Sequence, residues 1–233
     1  MDITAVKVQR LYLQVADQLS KQITGGSLSS GDRLPSERDL AARFQVSRPT
    51  IREAMIALEV SDLVEVRSGS GVYVKARNAA KRPQLLEDDS PGPIEILEAR
   101  LHFEAQAAYL AASRMGEDDL SQLNELLKRL QKENLDEKGT EQADRQFHLL
   151  IAKASQNSAI HSTIAWLWQL RDESTLSQFF HEKLRKSGIK PVIAAHQEIV
   201  DAITAKKPEQ ARDAMSSHLE QVIAMVLSDT DQE

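Results

Sequence analysis

The sequence predicts a mainly α-helical protein in two parts. A winged helix-turn-helix spans residues 1–76, and an all-helical antiparallel bundle spans 93–230, with a linker at 77–92 between them. Three observations carry this reading. Residues 34–74 pattern as two short capped helices, a tight turn and a two-stranded ribbon. Residues 76–93 lose periodicity and gather Pro83, Pro91, Gly92 and Pro93 among charged residues, the composition of a linker. Beyond Pro93, apolar residues recur at helical spacing without strand-like alternation.

In chain order, Leu11, Val15, Leu19 and Ile23 form one helical stripe that stops at Gly25-Gly26. Ser30-Gly31-Asp32 is a turn signal. Ser36 stands three residues before Asp39, a capping-box arrangement for a helix reaching about Phe44. Ser47 caps the next helix, and Pro49 fits its first turn, where a missing N–H costs nothing. Val64/Val66 and Val72/Val74 alternate around Ser68-Gly69-Ser70-Gly71, a hairpin signal. Six helices are expected in the bundle: 94–115, 117–135, 140–154, 158–180, 191–205 and 208–227, with a break at 183–189. Nothing in the pattern suggests an internal repeat.

Composition narrows the function classes. The chain has no cysteine, which excludes disulfides, a cysteine-based zinc finger and a thiol nucleophile. No apolar run reaches the roughly 20 residues a bilayer span needs, and charges interrupt the first apolar stretches, so a cytoplasmic protein without a membrane role is expected. Residues 1–78 carry 11 Lys and Arg against 9 Asp and Glu, net +2; the rest carries 18 against 26, net −8. An acidic bundle repels phosphate, so any nucleic-acid surface belongs to the first part.

A helix-turn-helix sets the N-terminal residues of its second helix against base edges in the major groove. Here these are Ser47, Arg48, Thr50 and Arg52. Arg48 is the candidate base reader, because a guanidinium grips guanine O6 and N7 together. Arg52, one turn on, shares that role or holds phosphate. Arg38, Ser47 and Thr50 suit phosphate oxygens, and the wing tip Ser68-Gly69 lets backbone approach the minor groove. The expected partner is double-stranded DNA carrying a palindromic operator, bound by a homodimer.

These residues resemble a known family. The run from Leu34-Pro35-Ser36-Glu37-Arg38 to Leu40-Ala41, with Val46-Ser47-Arg48, Arg52-Glu53-Ala54, Leu58 and Gly69-Ser70-Gly71-Val72-Tyr73-Val74, is similar to the winged helix-turn-helix of GntR-superfamily bacterial regulators. It departs at Pro49, where a hydroxyl residue is frequent, and at Asp62, where glycine is frequent; the second suggests a slightly different turn.

In the bundle, Asp144 and His148 stand four apart, a carboxylate and an imidazole on one helical face. His196 and His218 lie on later helices able to point at them. Spacing alone leaves two readings open, a metal set or ordinary core and surface histidines. His102, His161 and His181 read as non-ligands. Leu97-Glu98-Ala99-Arg100, the Asp144/His148 pair, His196 and His218 resemble the FCD effector domain of the FadR subfamily. That resemblance implies a divalent metal on Asp144, His148, His196 and His218, with zinc first and nickel, manganese or iron as alternatives. It implies a small carboxylate effector gripped by Arg100, for which an interhelical salt bridge is the competing role. Residues 92–100 and 147–159 look nearest the hexuronate-responsive repressors of that subfamily. The implied function is a metabolite-responsive regulator without enzymatic activity. The alternatives are a metal-dependent sugar-acid enzyme and a constitutive dimeric DNA-binding protein.

Overall fold

The computed structural model describes residues 9–67, 69–76, 90–136 and 141–228. Ten helices and one hairpin follow in order: α1 Leu11–Thr24, α2 Glu37–Phe44, α3 Arg48–Val60, β1 Val64–Arg67, β2 Gly71–Val74, α4 Pro93–Arg114, α5 Glu117–Leu135, α6 Gln142–Ala154, α7 Ser158–Glu173, α8 Thr175–Lys186, α9 Ile193–Thr204 and α10 Pro208–Ser228.

Both capping expectations are met. Ser36 Oγ accepts from the Asp39 N–H and donates to the Asp39 carboxylate, which starts α2. Gln45 then turns left-handed at φ 56° and ends it. Ser47 Oγ accepts from the Thr50 N–H, and Pro49 occupies the first turn of α3. α1 packs on α3 through Tyr12, Leu13, Ala16 and Leu19; Leu11, expected in the buried stripe, is 58% exposed. β1 and β2 pair antiparallel, with Val64 opposite Val74 and Arg67 opposite Gly71. The wing-tip residue Ser68 lies outside the described residues. Asp62 takes the left-handed conformation at φ 59°, and the Leu63 N–H reaches back to Leu58 O. The turn there is therefore the one a glycine would make, tolerated because aspartate is among the residues that visit this region most readily.

The chain divides into two compact units. One holds residues up to Ile94 together with Ser174–Phe180 and the chain end from Leu227; the other holds Glu95–Glu173 and His181–Val226. The helix expected over 158–180 is in fact two. Ser174 interrupts it, because its Oγ accepts the Ser177 N–H and caps a new helix, α8. α8 then runs on to Lys186, into the expected break. The core of the second unit joins Ala108, Leu123, Leu127, Phe147, Ile151, Ile199, Ile203, Met215 and Leu219 from five helices.

Two buried charges tie the first unit together. Glu53 of α3 accepts the Ile94 N–H at 3.0 Å and so caps the first turn of α4. Gly92 is required there, because a Cβ would lie 2.1–2.5 Å from the Glu53 carboxylate. Arg52 departs from its expected role. Its Nε and Nη2 donate to the two carboxylate oxygens of Glu37 at 2.9 and 2.6 Å; Arg52 is buried and Glu37 nearly so. The guanidinium is spent on holding α3 to α2 and is not presented to a groove. Arg52→Ala should therefore lower stability by about 3–5 kcal/mol, the cost of removing one partner of a buried ion pair. Arg52→Met with Glu37→Leu should recover most of that loss. Thermal melts of the three variants decide this; an unchanged melting temperature for Arg52→Ala would return that arginine to the DNA surface.

Candidate functional site

On the head, Arg38, Ser47, Arg48 and Gly69 are exposed and Thr50 is half-buried. The Ser47 and Thr50 hydroxyls lie 2.8 Å apart at the N-terminus of α3. Arg67 lies over the Tyr73 ring at 4.4 Å, which stiffens the wing.

The second unit brings together the four residues singled out in its sequence. α6 buries Ala143, Asp144, Phe147, His148 and Ile151 on one face, so its carboxylate and imidazole point inward with the core. α9 buries His196 beside Ile199 and Val200, and α10 buries His218 one turn from Met215. One ring nitrogen from each of His148, His196 and His218 lies within 4.8 Å of the others. Asp144 Oδ1 sits among them, 2.9 Å from His196 Nε2 and 3.7 Å from His148 Nε2. The Phe147 ring edges against His148 and His196.

Each of two imidazoles is held from behind. His196 Nδ1 donates to the Val192 carbonyl at 2.9 Å, so Nε2 is the nitrogen turned toward Asp144. His148 Nδ1 lies 2.5 Å from Glu104 Oε2, close enough for an ion pair though not aligned as a hydrogen bond. His148 Nε2 is buried without a hydrogen-bond partner among the described residues. A ring flanked by two acceptors calls for positive charge on it or beside it. Imidazoles braced at one nitrogen by a carbonyl or a carboxylate, with the other nitrogen facing a shared point, form a donor set that fits a transition-metal ion.

The electrostatics agree. Burial raises the Asp144 carboxyl, but the His148 and His196 imidazoles beside it outweigh that and hold it well below the usual range. Burial also works against Glu104, yet Arg100 and His148 pull its pKa down to about 2. Burial lowers His148, but Glu104 and Asp144 lift it to about 9. Burial together with His196 and His148 depresses His218, which therefore stays neutral with a lone pair to offer.

Arg100 is buried, and its competing role is only partly realised. Its salt bridge is within α4, not between helices: Nε donates to Glu104 Oε1 at 2.7 Å. Its guanidinium lies 3.8 Å over the Trp168 ring, and the side chain lines a cleft together with Asp144 and His218. The sequence reading missed Glu104 and Trp168. Trp168 Nε1 donates to Glu104 Oε1 at 3.1 Å, so one carboxylate joins Arg100, Trp168 and His148. The available signal was Arg100 four residues before Glu104 on a helix whose other inward residues are apolar.

Residues 11–74 match the family model of the gntR family of bacterial regulatory proteins, and residues 95–221 match that of the FCD domain. The chain belongs to the GntR family. It is a DNA-binding transcriptional regulator with a metabolite-responsive FCD domain. Among its relatives are the Uxu operon regulator of Haemophilus influenzae, 37% identical over 92% of this chain and 81% of that one, and the Exu regulon transcriptional regulator of Escherichia coli, 34% identical over 99% and 89%. A putative L-lactate dehydrogenase operon regulatory protein of Escherichia coli is 32% identical over 91% and 84%. No helix among the described residues is long and apolar enough to cross a membrane.

Glu104 gives this regulator a pH signature. Its pKa falls from an ordinary 4.5 to about 2 on folding, so its contribution is full above pH 4.5 and is lost as pH falls toward 2. Glu104→Gln should cost about 3 kcal/mol near neutrality. The stability gap to the wild type should close between pH 4.5 and 2, read from melts of the metal-free proteins. A gap constant across that range contradicts the assignment.

Proposed function

We propose that this GntR-family protein is a homodimeric repressor of sugar-acid metabolism, released from its operator by a hexuronate-type carboxylate. One observation carries the reading: Arg100, Asp144 and His218 share the wall of one cleft. Asp144, His148, His196 and His218 hold a divalent metal, most naturally zinc, since imidazole and carboxylate donors suit it. The metal supplies a Lewis-acidic point for the effector carboxylate. Arg100, braced through Nε by Glu104, offers its terminal amino groups to the same carboxylate. The names of the uxu and exu relatives support a hexuronate.

In the head, Arg48 reads a base, Arg38, Ser47 and Thr50 hold phosphates, and Ser68-Gly69 sits at the minor groove. Exposed Phe103 on α4 and Trp166 on α7, 42% and 54% accessible, support a second copy covering the bundle. α4 carries Arg100, and its first turn is capped by Glu53 of the recognition helix. A shift of α4 on effector binding reaches α3 through that bond, provided the effector prefers one arrangement over the other.

An operator selected from random duplex, followed by gel-shift titration of the metal-loaded protein with sugar acids, tests the reading. Release by a hexuronate and not by neutral sugars is expected; unchanged operator affinity with every acid rejects induction. Arg48→Ala should relax preference at one base pair by about 1–3 kcal/mol, whereas Arg38→Ala should weaken all sequences evenly. Metal analysis should find one equivalent per chain, lost in His196→Ala; full occupancy in that variant removes His196 from the set.

A further inference from the structure

The wing is wider than its two strands. Residues 31–34 run along the second edge of β2: the Leu34 N–H donates to Val72 O at 2.8 Å, the Val74 N–H to Asp32 O at 2.9 Å and the Gly31 N–H to Val74 O at 2.9 Å. Arg33 thereby stands opposite Tyr73, Tyr73 stands opposite Glu65, and Gly71 stands opposite Arg67. Side chains alternate across a ribbon, so Arg33, Tyr73, Glu65, Gly71 and Arg67 share one face. The other face carries Leu34, Val64 and Val74 into the core of the head. The register therefore sends two exposed arginines outward on the ribbon that ends at the exposed Gly69 and Ser70.

Both guanidiniums have fixed seats. Arg67 lies over the Tyr73 ring, and the Tyr73 hydroxyl is tied to the turn, 2.8 Å from Ser70 Oγ and donating to the Ser70 carbonyl at 3.1 Å. Arg33 fills the space that Gly71 leaves by having no side chain. A Cβ on Gly71 would lie 2.7 Å from Arg33 Nε and 3.2 Å from Nη2. Gly71 is the last paired residue before the turn, so the Arg33 side chain runs from its place beside Tyr73 toward the tip. Positive charge on this face is in excess. Glu65 lies 3.5 Å from Arg67 with both side chains well solvated, a weak pair. Among the described residues Arg33 has no ion pair, and the carboxylate of its neighbour Asp32 is turned to the Ser29 N–H.

We infer that Arg33 is a DNA-contacting residue outside the helix-turn-helix, and that with Arg67 it enters the minor groove and reads its width. That groove is about 6 Å across, too narrow for a helix but open to a ribbon tip and a planar guanidinium. It is narrower and more negative along A·T runs, which favours an inserted arginine there over G·C pairs. The regulator thereby gains a sequence preference at base pairs that α3 does not touch. This rests on the wing tip lying at the minor groove, as proposed above.

Gel shifts of the full-length protein on an operator selected from random duplex test it. A hydroxyl-radical footprint marks the minor-groove stretches that the wild type protects. Those stretches are then written in A·T, G·C or inosine·C pairs, the last lacking the amino group that guanine places in the minor groove. The wild type should bind the A·T and inosine·C duplexes about tenfold tighter than the G·C duplex. Arg33→Ala, at an exposed position, should keep the wild-type melting temperature and lose about fivefold on A·T but little on G·C, with a salt slope smaller by about 1. Arg33→Lys, which keeps the charge without the planar fork, should restore the salt slope but not the A·T preference. Unchanged affinity in Arg33→Ala, or equal weakening on all three duplexes, overturns the groove reading by Arg33 while leaving the wing in place. A wild type that protects no minor-groove stretch overturns the placing of the wing, and the role of Arg33 falls with it.

Discussion

The helical unit is organised around one ionised carboxylate in its interior. Glu104 is 1% exposed, and it accepts from Arg100, from the Trp168 indole and, through its other oxygen, faces His148. Burying a carboxylate alone costs more than a domain can spare, so each of these partners is needed to keep it charged. The arrangement works in both directions. Glu104 fixes which nitrogen of His148 faces inward, keeps Arg100 extended over Trp168, and sets the indole on which Arg171 also rests. A change at this one position would reach His148, Arg100 and Trp168 together.

The head follows the same rule with opposite emphasis. Three charged residues of α3 begin its sequence signature, Arg48, Arg52 and Glu53, and the fold sends them to different tasks. Arg52 turns back onto Glu37 and Glu53 turns to the α4 N-terminus, both buried. Arg48, at the first helical position, stays exposed. Helical periodicity explains the division. Arg48 and Arg52 share a face in projection, but residue 52 already lies over α2, whereas residue 48 precedes the contact. The exposed start of α3, with its helix N-terminus and the Ser47 and Thr50 hydroxyls, is where the proposed base and phosphate contacts would lie.

Much of this was legible in the sequence where local chemistry decides conformation. Ser36 and Ser47 caps, Pro49 in a first turn and Val pairs around a Gly-rich tip specify their elements without tertiary help. The Asp144/His148 pair was legible for the same reason, since four-residue spacing sets one face. What escaped depends on contacts far apart in sequence. The split at Ser174 has no glycine or proline to announce it; only the buried cap to Ser177 reveals it. Glu104 looked like the second half of an ordinary i,i+4 pair until Trp168, 64 positions away, and His148 closed on it. Arg52 read as a DNA contact because its partner Glu37 lies 15 positions earlier, beyond the reach of any helical spacing rule.

The buried set gathers charges of both signs in the interior of an acidic unit. Asp144 and Glu104 put two carboxylates beside three imidazoles and Arg100, all of them buried. Burial works against a charged His148, yet Glu104 and Asp144 on either side of the ring lift its pKa to about 9, so the site demands positive charge. In the proposed mode a divalent cation held by Asp144, His148, His196 and His218 would meet that demand in place of the proton. An effector carboxylate in that mode would meet Arg100 in the wall of the cleft. The net charge of −8 over the rest of the chain is no obstacle, because attraction in a confined, low-dielectric cleft is set by the few groups that line it.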